Sequence, residues 1–73
     1  MTKDEISKLK DWVRKNPTQA DAKHIDLTTQ KEFTIRHLLE QFTAEQEKGI
    51  AIVDETILRA KTEITKWIGG MKP

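Results

Sequence analysis

The chain has 73 residues, 13 Lys and Arg against 12 Asp and Glu, and no cysteine. That length holds one small domain and excludes a two-domain enzyme. The missing cysteines exclude a disulfide scaffold and a thiolate metal site. Charged residues make up 34% and apolar ones 36%, and near-cancelling charge on ordinary apolar content argues against a disordered polyelectrolyte.

Met1-Thr2-Lys3-Asp4-Glu5 leads into no apolar core, so no signal peptide is read there. The longest apolar run, Ile50 to Val53, is far too short to span a membrane. A cytoplasmic location is the expectation.

Residues 2–16 predict an amphipathic helix. Thr2 and Glu5 have the spacing of a capping box, and Ile6, Leu9, Trp12 and Val13 share one face at the helical period. Asp4 with Lys8 and Asp11 with Lys15 are favourable i,i+4 pairs. Pro17 disfavours helical geometry at Asn16, which sets the end.

Residues 17–32 form a polar connector whose sizeable apolar groups are Ile25 and Leu27. Their i,i+2 spacing fits a short extended piece over 24–29 with one face on the core. Residues 49–53, Gly-Ile-Ala-Ile-Val, are its candidate strand partner; an irregular loop pinned by Ile25 and Leu27 is the alternative.

Thr34 is a good N-cap for a helix over 34–48, and Phe33 and Leu38 have the spacing of a hydrophobic staple. Ile35, Leu38, Leu39 and Phe42 share a face. The apolar period fails at Thr43, where a second capping box with Gln46 predicts a bend, and Gly49 ends the helix.

In the last third, Ile50, Val53, Ile57, Ala60, Ile64, Trp67 and Met71 recur at alternating spacings of three and four, an a/d heptad. It predicts a helix over about 51–68, about 27 Å long, closed by Gly69-Gly70 with Pro73 beyond. Ile52, Leu58 and Ile68 fall partly or wholly off the stripe, so they offer a second apolar face. The expected core is Ile6, Leu9, Trp12, Val13, Phe33, Ile35, Leu38, Leu39, Phe42, Ile50, Val53, Ile57, Ile64 and Trp67. Such a core is small, and a monomer built on it would be marginal.

The fold class that follows is all-α: a three-helix domain over 1–73 with a long C-terminal helix. The pairing of 24–29 with 49–53 would add a minor β element of winged-helix-like, α+β character.

Chemistry-bearing residues are sparse. Asp21, His24 and Asp26, or His37 and Glu40, match no metal-ligand spacing. Ser7 has no histidine beside it, and the glycines form no phosphate loop. No catalysis, cofactor, metal or small-molecule substrate is expected.

Charge is distributed unevenly. Residues 1–17 carry +2 (Lys3, Lys8, Lys10, Arg14 and Lys15 against Asp4, Glu5 and Asp11), and residues 56–73 carry +3 (Arg59, Lys61, Lys66 and Lys72 against Glu63). Residues 40–55 carry −4 (Glu40, Glu45, Glu47, Asp54 and Glu55 against Lys48). The acidic stretch is a candidate docking surface for a basic partner.

These features point to a small non-catalytic regulatory or adaptor protein of bacterial or phage style. It would act by protein–protein contact, as a homodimer through the C-terminal helix. The interface candidates are Ile52, Leu58, Trp67 and Ile68, with Glu45, Glu47, Asp54 and Glu55. The stretch Phe33-Thr34-Ile35-Arg36-His37-Leu38-Leu39 resembles the opening of the first helix in helix-turn-helix and winged-helix domains. That resemblance implies a recognition helix starting near Val53 and a dimeric DNA-binding regulator, with Arg59, Lys61, Lys66, Arg14 and Lys15 as phosphate-contacting candidates. Asp54 and Glu55 would then face phosphates, which ranks this reading second. The stretch from Lys66 to Lys72 has the composition of an interfacial helix end, but Trp67 continues the heptad, so no membrane partner is expected.

Overall fold

The computed structural model describes residues 1–70. In chain order the elements are α1 (Lys3–Lys15), α2 (Pro17–Ala20), β1 (His24–Ile25), β2 (Glu32–Phe33), α3 (Ile35–Lys48) and α4 (Glu55–Gly69). The fold is therefore mostly helical, with four helices and a small two-stranded antiparallel sheet, an α+β arrangement.

Local signals set the helix ends. Thr2 and Glu5 close the capping box on α1, each side chain accepting the other's backbone N–H. Asn16 ends α1 as expected, but Pro17 also starts the single turn of α2. It occupies the first helical position, where its missing N–H costs nothing. Thr34 caps α3 by accepting the His37 N–H. Gly49 ends α3 with φ +67°, in the left-handed region where a side chain would be strained.

Four expectations need correction. First, α3 runs unbroken through Thr43. The fully buried Phe42 holds this turn on the core, and that packing outweighs the local capping alternative. Second, residues 49–53 form no strand: β1 pairs with β2, with His24 opposite Phe33 and Ile25 opposite Glu32. The hairpin closes because the Asp26 carboxylate accepts the Thr28 N–H at 2.8 Å and Gln30 takes φ +59°. Ile25 and Leu27 consequently face outward rather than pinning the loop; Leu27 is 90% exposed.

Third, α4 starts at Glu55 rather than near 51. Asp54 is its N-cap and accepts the Thr56 N–H at 2.8 Å. Ile50 and Val53 lie in the linker, exposed, instead of in the core. Fourth, the buried stripe of α4 is Ile57, Ala60, Ile64 and Ile68. Its spacings of three, four and four follow a straight helix of period 3.6 rather than a 3.5-residue heptad. The two patterns coincide through Ile64 and part at the next step. Ile68 turns inward, 1% exposed, and Trp67 moves to the edge of the stripe, 38% exposed. Met71, the last heptad position, and Pro73 lie outside the described residues.

The core joins Ile6, Leu9 and Val13 of α1, Ala20 of α2, Ile35, Leu38 and Phe42 of α3, and the α4 stripe. Trp12, Phe33, Leu39 and Ile52 pack at its margin. Ala20 and Ile68 are core residues that patterning missed. The molecule is flat, 33 × 29 × 18 Å, about two helix layers thick.

The stripe assignment is checked by paired truncations. Ile68→Ala is expected to cost about 3 kcal/mol in urea unfolding, the range of a large-to-small core change. Leu58→Ala is expected to cost well under about 1 kcal/mol, as for a surface site. The reverse order would restore the heptad.

Candidate functional site

The hairpin is docked on the start of α4. The Thr29 and Thr56 hydroxyls hydrogen-bond to each other, and Lys31 Nζ lies 3.4 Å from Asp54 Oδ2. Thr56 is otherwise buried, so this pairing satisfies its hydroxyl. The dock holds the short strands beside α4 without covering its flank.

The uncovered flank is an apolar groove in two halves. The half nearer the hairpin, about 240 Å³, is lined by Ile25, Asp26, Phe33, Thr56, Arg59 and Ala60. The other, about 480 Å³, is lined by Trp12, Gln19, Ala22, His24, Ile35 and Trp67. Glu63 and Ile64 line both halves, so the two hollows adjoin along that turn of α4. Along α4 it runs from Thr56 to Trp67, about 16 Å at 1.5 Å per residue.

Aromatic rings form much of its wall. Trp12 and Trp67 meet edge to face with centroids 4.9 Å apart, a favoured geometry that fixes both indoles. His24 stacks on its cross-strand neighbour Phe33 at 5.6 Å. Rigid aromatic side chains in a concave apolar surface are the side-chain class that dominates protein interfaces.

The sequence-derived interface residues are dispersed. Ile68 belongs to the core and is not available as a surface, and Ile52 packs on the core margin. Leu58 remains outward, 41% exposed. Trp67 alone of the four lines the groove. Among the acids, Glu45 binds Lys61 and lies 3.9 Å from the Met1 amino group. Asp54 caps α4, and Glu55 holds Arg59 at 2.9 Å. Glu47 is exposed in a shallow recess with Lys3 and Lys10, outside the groove.

The DNA-contact candidates are also distributed over separate ion pairs. Arg14 and Lys15 share Asp11, whose carboxyl they hold below its ordinary value, Lys15 most strongly. Arg59 pairs with Glu55, Lys61 with Glu45, and Lys66 lies 3.9 Å from Glu63. Each cation has a carboxylate beside it, and they do not converge on one stripe.

Among the described residues, no group of three His, Cys, Asp or Glu side chains is placed to hold a metal ion. Among the same residues, no helix is long and apolar enough to cross a membrane. His37 Nδ1 lies 4.0 Å from Glu40 on the exposed face of α3. Sequence patterning missed Ile25, Phe33, Ala22, Gln19 and His24 as groove residues. The consecutive His24, Ile25 and Asp26 all line it, so no alternation along the strand could mark them.

Compared with known protein families, curated proteins and solved structures, the chain matches none.

Asp26 supplies a pH test of the hairpin dock. The Thr28 N–H donating to its carboxylate holds it below the ordinary value of 3.8, against desolvation, with help from the Thr29 N–H and Arg59. A lowered folded value means the carboxylate stabilises the fold above about the ordinary value, and that contribution is lost as pH falls through the lowered one. Asp26→Ala is therefore expected to be less stable than wild type at pH 7, with the gap in thermal midpoint shrinking below the ordinary carboxylate value of 3.8. A gap independent of pH would contradict this role.

Proposed function

We propose that this chain is a small non-catalytic binding module, a regulatory or adaptor protein. It recognises a polypeptide through the groove between α4 and the hairpin. The observation that carries this reading is the pair of apolar hollows that adjoin at Ile64, walled by Trp12, Trp67 and Phe33. Large open apolar surfaces on small proteins mark contact sites, and Ile25, 58% exposed, stands at the hairpin end of this one.

The contact is thereby moved from the outer face of α4 to its flank. With Ile68 in the core and Ile52 at its margin, Leu58 is the large apolar residue left on that outer face. A dimer through it would lack the buried apolar centre that stable interfaces have. DNA binding remains the second reading, and the dispersal of Arg59, Lys61, Lys66, Arg14 and Lys15 over separate ion pairs favours it less. Affinity for a duplex comes mainly from several cations neutralising phosphates together.

The test is selection of binders from an unbiased displayed-peptide library. Peptides selected on the wild-type protein are expected to lose at least about tenfold in affinity on Ile25→Asp, as for an interface hot spot. Glu47→Ala, outside the groove, is expected to leave binding unchanged. Insensitivity to Ile25→Asp would remove the groove reading. Retention of a generic duplex at about 50 mM salt, weakened by Arg59→Ala, would replace it with the DNA reading.

A further inference from the structure

The groove is apolar on its floor and acidic at its midpoint, and that combination selects an occupant. With the groove as the binding site proposed above, its lining sets the chemistry of what it holds. Glu63 lines both halves. Its carboxylate is 3.9 Å from Lys66, and the two side chains are 77% and 72% exposed. A pair so wet is weak and easily exchanged. Arg59, the cation on the same rim, is already bound to Glu55 at 2.9 Å. Asp26, at the hairpin end, is engaged by the Thr28 and Thr29 N–H groups and lies near Arg59, which leaves Glu63 as the carboxylate open to a ligand.

Shape limits the occupant further. The groove lies alongside one helix for about 16 Å, the length of three helical turns. Strands of two residues each offer too short an edge to template an added strand. A second copy of this chain has no helix to offer: its exposed large hydrophobics are Ile25, Leu27, Ile50 and Val53 off the helices, with Leu58 and the groove's own Trp67 on α4. No helix among the described residues presents an exposed apolar ridge.

We propose that the groove takes an amphipathic helix of another polypeptide. That helix lays apolar residues at i, i+4 and i+7 on Ile25, Ile64 and Trp67, and sets a Lys or Arg opposite Glu63.

Two helical peptides of identical apolar pattern test this, one with Lys and the other with Glu at the flanking positions. The chain has two tryptophans, Trp12 and Trp67, and both line the groove, so intrinsic emission reports occupancy directly. The Lys peptide is expected to shift that emission saturably. Glu63→Gln is expected to weaken it about threefold to fivefold, the size of one exposed ion pair. The Glu peptide is expected to bind wild type at least about tenfold more weakly. Equal binding of both peptides, lost on Ile25→Asp, would overturn the basic-helix assignment while leaving the groove reading intact. Saturable binding of neither would overturn both. Self-association in sedimentation that Ile25→Asp abolishes would assign the groove to a second copy instead.

Discussion

The structure depends on how α4 is enclosed. Among the described residues, Leu9, Leu38, Phe42 and Ile68 are the largest fully buried side chains, one from α1, two from α3 and one from α4. They form the joint at which the three long helices meet. Among the same residues, the elements beside the flank of α4 are a four-residue helix and two strands of two residues. These elements are too short to close over it. Burial at the joint and exposure along the groove follow from this one difference in cover.

The polar contacts keep that exposed surface in one shape. Asp26 closes the hairpin turn, Thr29 bonds to Thr56, and Lys31 reaches Asp54, which also caps α4. Individually such contacts contribute modestly in water. Together they fix the hairpin against the first turn of α4, so the groove is shaped by contacts within the chain itself. A site preformed in this way would spare a ligand the entropy of ordering a loop. The edge-to-face pair of Trp12 and Trp67 does the same at the other end.

Much of the fold was legible because its signals are local. Thr2 with Glu5, Thr34, and Gly49 set three helix ends through contacts within a few residues, and tertiary packing did not override them. The parts that were not legible depend on competition. A 3.5-residue and a 3.6-residue stripe fit α4 equally as far as Ile64, and only packing into the common core decides for Ile68 over Trp67. The hairpin turn was hidden because its positive φ falls on Gln30 rather than on Gly or Asn. Asp54 did carry an N-cap signal, but the apolar period beginning at Ile50 masked it. The groove itself is assembled from α1, α2, the hairpin, α3 and α4, and no spacing within one element reveals it.

Everything above follows from α4 turning Ile68 inward and leaving its flank open beside the hairpin. Methyl NMR with a soluble paramagnetic agent measures this most directly. Strong broadening is expected at Ile25, Leu27 and Val53, with protection at Ile68 equal to that at Leu9 and Leu38. Broadening at Ile68 comparable to that at Leu27, or a shielded Ile25 in the free protein, would contradict it.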